Sequence, residues 1–377
     1  MLRILAKMAE NAAKRLKTDN ASSVLIGTHN GHFHADEALA VHMLRQLPEY
    51  ASASLVRTRD PAVLATCHTV VDVGGEYDAS RHRYDHHQRT FATTFPGRPT
   101  KLSSAGLVYL HFGRALVAQK LGTATETSNN NSEGGGEGGE DTVGVVWRKL
   151  YESFIEALDA HDNGISEYDP DALAAAGIEK RFSDSGFGLG AVVGRLNPNW
   201  NEAIPSDPIE AQAFEDSRFE LASRRIGEEF DRDLAYYATA WLPARSIVRD
   251  AYAKRRAYDA LGRVMVLEGQ AVPWKDHLYA LEEEEGEKTE DQNKVLYVLY
   301  PEKPTPEAKW RIQAVPVTKD SFQSRKALPE PWRGARDAAL DDITGVPGGV
   351  FVHASGFIGG NKTFEGAKAM AEKACSF

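Results

Sequence analysis

Most of the chain's 12 histidines fall between His29 and His87, and carboxylates accompany them. Four short stretches join the two residue types. The first is Gly27-Thr28-His29-Asn30-Gly31-His32-Phe33-His34-Ala35-Asp36-Glu37, which follows an apolar run and opens a helical pattern. The second, Val70-Val71-Asp72-Val73-Gly74-Gly75, is an apolar run ending in an acid and two glycines. The third is Tyr84-Asp85-His86-His87, and the fourth is Ala157-Leu158-Asp159-Ala160-His161-Asp162-Asn163-Gly164 at the end of an apolar helix. Imidazoles and carboxylates without thiolates suit Mn²⁺ or a similar borderline cation. Several of each predict two ions sharing a bridging ligand, about 3.5–4 Å apart, the arrangement that clamps both oxygens of a phosphoryl displacement. Taken singly, every piece has a blander explanation. An isolated His is commonly a surface group or a satisfied core group, and Asp162-Asn163-Gly164 is also a turn or helix-cap sequence. His42, His111 and His277 read as structural. Four such sets at successive strand or helix ends read together as a metal site.

The surrounding sequence supplies elements to position them. SVLIGTH (23–29) reads as a short buried strand, and ADEALAVHMLRQL (35–47) as a helix with Leu39, Met43 and Leu47 on one stripe. ASLVRTR (53–59), HTVVDVG (68–74) and RYDHH (83–87) read as further strands. This alternation predicts an α/β fold: an N-terminal, mostly parallel sheet flanked by helices, with sites at the strands' C-terminal ends. Residues 210–242 read as one or two amphipathic helices. Beyond about 245, SIVRD, RVMVLE, VLYVLYP, WRIQAVPV and GVFVHAS read as the strands of a C-terminal α+β domain. The predicted organisation is a tail or targeting segment over 1–20, a metal-dependent catalytic domain over 21–242 and a substrate-binding domain over 243–377. Residues 123–142, rich in Gly, Ser, Asn and Glu, read as a disordered insertion between two helices of the first domain. Residues 282–291 read as an acidic loop between strands.

Composition sets limits. The 377 residues are 42% hydrophobic and 26% charged, an ordinary balance for a globular protein. No apolar run approaches the ~18 residues of a membrane span. Cys67 and Cys375 are the only cysteines, which excludes a disulfide scaffold and a cysteine zinc site and points to an intracellular, soluble protein. With 44 Lys and Arg against 54 Asp and Glu the net charge is −10, excluding a protein that grips nucleic acid through overall positive charge. A nuclease remains compatible, since a metal centre and a local basic strip can offset an acidic body. In the first 20 residues Arg3, Lys7, Lys14, Arg15 and Lys17 accompany Leu2, Leu5, Met8 and Ala12 at helical spacing. The segment reads as a mitochondrial presequence, a weak nuclear signal at Lys14-Arg15-Leu16-Lys17, or a solvated tail. No feature decides the oligomeric state, and a homodimer is compatible.

Asp85-His86-His87, with an upstream His/Asp motif and Asp72, resembles the DHH phosphoesterase superfamily. GTHNGHFHADEALA, VDVGGEYD, YDHHQRTF, LSSAGLVY, ALDAHDNGI, GRLNPNW, RKALPEPWRG and FVHASGFIGGNKTFEGA together resemble the melanocyte-proliferating-gene exonuclease family, over residues 27–367. The resemblance implies a DHH-like catalytic domain and a metal-dependent 3′–5′ exonuclease acting on single-stranded RNA in the mitochondrion, the nucleus or both. The implied cofactor is Mn²⁺ or Mg²⁺, two ions. It also implies roles. His34 and Asp36 would be ligands, joined by His29 or His32, although the superfamily usually has Asp where this chain has His34. Asp72 would bridge. Asp85 would orient its neighbours, His86 would bind metal, and His87 would contact phosphate or act as an acid. Asp159 is taken as the last ligand with Asp162 as alternative, and Glu37 as the partner of a metal-bound His.

In the second domain, Gly348 to Lys362 reads as a buried strand followed by a loop of glycines whose N–H groups can approach phosphate. With His353, Ser355, Gly356, Gly359, Gly360 and Lys362 it resembles the substrate-binding half of two-domain DHH enzymes. Arg325, Lys326, Trp332 and Arg333 are expected to add phosphate contacts and a stacking surface. Two competing classes share these features: a small-molecule phosphoesterase of pyrophosphatase or cyclic-dinucleotide type, and a non-catalytic RNA-binding protein. An oxidoreductase is disfavoured, because His29-Asn-Gly-His-Phe-His stands where a dinucleotide fold needs its glycine fingerprint.

Overall fold

The computed structural model describes residues 24–123, 141–183, 185–285 and 294–377. The readings of a targeting segment, of the insertion over 124–140 and of the acidic loop over 286–291 lie outside them. The chain divides into two compact units, residues 1–238 and 239–377.

The first unit opens with β1 (Leu25–Thr28), α1 (Ala35–Arg45), β2 (Ser54–Arg57), α2 (Pro61–Leu64), β3 (Thr69–Val71), β4 (Tyr77–Asp78) and β5 (Arg83–Tyr84). The sheet order is β2-β1-β3-β5-β4. β1 pairs in parallel with β2 and β3, β3 in parallel with β5, and only the edge strand β4 runs antiparallel. Helices α3 (Ser104–Leu121), α4 (Thr142–Leu150), α5 (Glu156–Asp162), α6 (Pro170–Ala175), α7 (Leu189–Gly194) and α8 (Pro208–Tyr236) follow. Nearly every residue of α1 is buried, because it packs against both α3 and α8. α8 meets it through Phe219, Ala222, Ile226, Phe230 and Leu234, a stripe at three- and four-residue spacing. The expected mostly parallel α/β unit is present.

The second unit contains α9 (Leu242–Ala253), β6 (Val264–Val266), α10 (Lys275–Glu285), β7 (Tyr297–Pro301), β8 (Trp310–Ala314), α11 (Asp337–Thr344), β9 (Gly349–Val352), β10 (Ile358–Asn361) and α12 (Phe364–Ser376). Its sheet, β6-β7-β8-β10-β9, is antiparallel apart from the β6–β7 pair, as an α+β domain requires.

Three expectations fail here for local reasons. SIVRD is helical: Ala244, Val248, Ala251 and Tyr252 are the buried residues of α9, at four- and three-residue spacing, and a proline stands in the first turn. Glu282–Glu285 form the last turn of α10 and not a loop, with Glu282 buried. Gly359 and Gly360 belong to β10, inside the sheet between β8 and β9, so they are not a phosphate-cradling loop. They are glycines because neighbouring backbone presses in. A Cβ on Gly359 would stand 3.1 Å from the Phe351 carbonyl, and one on Gly360 2.8 Å from the Trp310 carbonyl. Gly360→Ala should therefore lower stability by about 1–3 kcal/mol in denaturant melts, the cost of forcing apart a packed site.

Candidate metal centre

Because β1, β3 and β5 are parallel, their C-terminal ends lie at one end of the sheet. β1 leads into His29, β3 into Asp72 and β5 into Asp85-His86-His87, while α5 brings Asp162. Potential ligand atoms fall into three groups, each within 4.8 Å: His29, His34, Glu37 and Asp72; Asp72, Asp85, His86 and His87; Asp36, His86 and Asp162. Asp72 belongs to the first two groups and His86 to the last two. His29 Nε2 lies 3.2 Å from Glu37 Oε1 and 3.3 Å from Asp72 Oδ2. His86 Nε2 lies 2.9 Å from Asp162 Oδ2, with its Nδ1 3.6 Å from Asp72 Oδ1. His87 Nδ1 lies 2.7 Å from Asp85 Oδ1.

Several of these groups are held from behind. Asp72 has a left-handed backbone (φ 56°), followed by Gly74 (φ 104°) and Gly75 (φ 70°). A non-glycine residue in that region is strained, of order 1–3 kcal/mol, and persists only where its surroundings over-determine it. The turn also lets the Gly75 N–H donate to Asp85 Oδ2 at 2.5 Å. The Ser104 hydroxyl lies 3.3 Å from His86 Nδ1 and 3.4 Å from Asp72 Oδ1. The His29–His34 loop is clamped by the buried Asn197: its Oδ1 accepts the Phe33 N–H and its Nδ2 donates to the Phe33 carbonyl, both at 2.9 Å. Buried Arg57 donates to the Gly31 carbonyl at 2.7 Å, with its guanidinium 4.8 Å from the Phe219 ring centroid. At the start of α1, Glu37 Oε1 accepts the His34 N–H at 2.8 Å.

The electrostatics call for a cation. Burial opposes charge on His29, but hydrogen bonds to Asp72 and Glu37 outweigh it and push its pKa up to about 10. Asp36, 1% exposed, is driven well above the carboxylate range by burial and then by Asp72, Glu37 and Asp162. Burial also acts against ionised Glu37, yet its bond to His29 brings it below the usual value. Among the described residues, both Asp36 oxygens and Glu37 Oε2 are buried without a hydrogen-bond partner. An uncompensated buried carboxylate costs several kcal/mol. A cation bound among these oxygens removes that cost, so five carboxylates and four imidazoles with no thiolate fit a hard or borderline metal ion.

The family model MYG1_exonuc, described as "Uncharacterised protein family (UPF0160)", matches residues 25–375. This chain belongs to that family. It is 48% identical to the MYG1 exonuclease of Mus musculus over 98% of this chain and 89% of the relative. For the MYG1 exonuclease of Homo sapiens the identity is again 48%, over 98% and 90%. For the MYG1 protein YER156C of Saccharomyces cerevisiae it is 39%, over 96% and 98%. No solved structure matches the chain.

In this MYG1_exonuc chain the structure brings together His29, His34, Asp36, Glu37, Asp72, Asp85, His86, His87 and Asp162. His32 stands outside the three groups, exposed, with its ring centroid 5.6 Å from that of His34. Asp159, preferred over Asp162 from the sequence, is spent elsewhere. Its Oδ1 accepts from the Ser103 N–H (2.9 Å) and hydroxyl (2.8 Å), and its Oδ2 from the Tyr151 hydroxyl (3.0 Å). It secures the start of α3, where only glycine fits at position 106 against its carboxylate. Sequence reasoning missed Arg57 and Asn197; each sits in a stretch that was singled out, but nothing in residue type distinguished a buried clamp from a surface group. A cavity of about 780 Å³ opens over His29, His34, Asp36, Asp72, His86 and Asp162.

The expected phosphate contacts of the second unit are mostly engaged internally. Arg325 binds buried Glu282 through both ends, at 2.8 and 2.6 Å, and Lys326 donates to the Cys375 carbonyl at 3.1 Å. Trp332 is core and not a stacking surface, and Arg333 donates to the Leu328 carbonyl at 2.9 Å. His353 and Ser355 pair with each other (2.9 Å) in the exposed turn closed at Gly356, and Lys362 is exposed.

Two outcomes follow. Asp36→Asn removes a buried, unpartnered carboxyl whose ionisation the metal-free fold opposes, so the metal-free variant should melt higher than wild type while losing most of the rise in melting temperature that Mn²⁺ gives; thermal melts with and without the ion check this. Asp159 is pushed by burial from an ordinary 3.8 to about 7, so the folded state holds its proton more tightly than the unfolded state. Its favourable contribution is complete below about pH 4 and is lost as pH rises through 7. Asp159→Asn should gain stability relative to wild type across that window in denaturant melts and keep Mn²⁺ binding.

Proposed function

We propose that this chain is a 3′–5′ exoribonuclease that hydrolyses single-stranded RNA with two divalent ions, Mn²⁺ or Mg²⁺, and that it acts in the mitochondrion or nucleus. The observation that carries this reading is the buried Asp36 carboxylate without a partner, among ligand groups that share Asp72 and His86. A centre with shared ligands is the pattern that places two cations close together. The mammalian relatives are named exonucleases, which favours a nucleic-acid phosphodiester as the bond cleaved. When bound, the ions supply positive charge at the phosphate and a water that is acidic near neutral pH.

The residues divide the remaining work. Asp72 and His86 hold the groups of ligands together, and Glu37 fixes His29. His87 is 63% exposed and lines the cavity. Its Nδ1 is taken by Asp85, which leaves Nε2 to face substrate and hand a proton to the leaving oxygen. The hydrogen bond to Asp85 raises the pKa of His87, keeping that proton in place towards neutral pH. In this reading the exposed His353, Ser355 and Lys362 of the C-terminal unit contact RNA.

The test is incubation of purified protein with 5′-labelled single-stranded RNA, matching DNA, pyrophosphate and a cyclic dinucleotide, with Mn²⁺, Mg²⁺ or chelator. The expected result is a ladder that shortens from the RNA 3′ end, needs metal and disappears in Asp36→Ala. Intact RNA with hydrolysis of a small phosphoester would replace the reading with a small-molecule phosphoesterase. His87→Gln should lower kcat by about 10²–10⁴ with metal affinity kept, the range for loss of a general acid. Asp85→Asn removes what raises His87, so the alkaline limb of the pH–rate profile should move to lower pH.

A further inference from the structure

Two cations in the catalytic unit have no role so far. Among the described residues, Arg59 and Lys101 are the only lysine or arginine side chains lining the metal-centre cavity, which Asp36, Asp72 and Asp162 also line. Among the described residues neither forms an ion pair or a side-chain hydrogen bond; the Lys101 ammonium only stands 5.4 Å over the Phe91 ring. Several other arginines of this unit behave otherwise. Arg57 is bound to Gly31 and Asp216, Arg81 to Glu76, Arg98 to Glu156 and Arg218 to Glu202. In a chain of net charge −10, acids are plentiful enough to pair any cation that the fold turns towards them.

The backbone at both positions is tied to the metal centre. The Thr58 N–H donates to the Thr28 carbonyl at 2.7 Å, next to His29, while Asp60 caps α2 by accepting the Ala62 N–H at 2.9 Å. Arg59 is held between those two anchors. The Lys101 carbonyl accepts from Asn163 Nδ2 at 3.0 Å, and Asn163 follows Asp162 directly. Both cations are thus presented from positions adjoining candidate ligands, into a space that Asp36, Asp72 and Asp162 share with histidines and apolar side chains.

We infer that Arg59 and Lys101 form an anion subsite for a second phosphate of the substrate, adjoining the one at the metal centre; this rests on the phosphodiesterase reading above. Metal ions neutralise the phosphate they bind, but a neighbouring phosphate would meet Asp36, Asp72 and Asp162 unless a cation intervened. Arginine offers a planar fork to such a group and lysine a mobile point charge. At about 780 Å³ the cavity is of small-ligand size and has room for more than a lone phosphate. The subsite reads backbone charge and no base edge, so it favours a polynucleotide end of any sequence over an isolated phosphodiester.

The test is calorimetric titration, in Mn²⁺, of dinucleotides joined by an uncleavable methylene-phosphonate link, with no terminal phosphate, a 5′ phosphate or a 3′ phosphate. Wild type should bind one phosphorylated form roughly tenfold more tightly than the plain dinucleotide, the scale of a charge-assisted contact. Arg59→Ala with Lys101→Ala should abolish that preference, leaving melting temperature and affinity for the plain dinucleotide unchanged, and Lys101→Arg should retain most of it. Equal affinities for all three ligands in wild type, or a preference that survives in the double variant, would overturn the subsite. Cleavable RNA counterparts are incubated in parallel. If they stay intact the exonuclease reading fails, while the binding comparison still decides the subsite.

Discussion

Carboxylates crowded at the end of a parallel sheet, out of reach of water, are the constraint to which the rest of the first unit answers. Asp36 and Glu37 open α1, a helix buried almost all round, and therefore cannot turn to solvent. Asp72 and Asp85 are brought to them by adjacent parallel strands. Like charges so placed repel unless a proton or a cation lies among them. The buried His29 carries one positive charge into the group, held there by Glu37 and Asp72. Asp36 is left with nothing comparable, and so the protein alone is in internal conflict at the position where a metal ion would resolve it.

Holding such a group requires a frame that does not relax. Were the loop after β1 free, His29 and His34 would swing out and the carboxylates would hydrate. Asn197 prevents this by meeting both backbone groups of Phe33, and Arg57 by fixing the Gly31 carbonyl while its charge is spread against two aromatic rings. The strained backbone at Asp72 belongs to the same frame. A relaxed conformation there would carry its carboxylate away from His29 and His86. Local stability is thus exchanged for a preformed donor set.

The sequence made the arrangement of β1, α1, β2, β3 and β5 legible, because short apolar runs ending in His or Asp alternate with one strongly helical segment. It also showed which stretches hold ligands. Assignments within a stretch were less legible, since residue type reports what a side chain can do and not which neighbour claims it. Asp159 and Asp162 lie on one short helix, and only the approach of Ser103 and Tyr151 separates a structural acid from a ligand. Arg325 and Lys326 have the composition of a phosphate site, but a buried glutamate and a C-terminal carbonyl occupy them first. Gly359-Gly360 is indistinguishable from a loop by composition. Its place inside a sheet follows from long-range pairing with β8 and β9, which no local pattern encodes. SIVRD failed for the opposite reason: its β-branched residues suggested a strand, while the helical spacing of Val248, Ala251 and Tyr252 was present in the sequence and outweighed them.

An acidic chain poses an electrostatic problem for any nucleic-acid reading, and the solution has to be local. Bulk charge governs long-range approach, which salt screens beyond about 8–10 Å. Within that distance a few fixed groups decide the outcome. Many described arginines of the first unit, Arg45, Arg57, Arg81, Arg98 and Arg218 among them, neutralise particular acids and contribute little field of their own. Arg59 and Lys101 differ in being unpaired at the cavity wall, so their charge is available at short range to a group that enters it. A metal-loaded centre flanked by two such cations is positive where it matters even though the molecule is not. Its preference would then be set by how many phosphates reach the cavity together, and a duplex or a folded chain end that cannot thread both into it would be excluded by geometry and not by sequence.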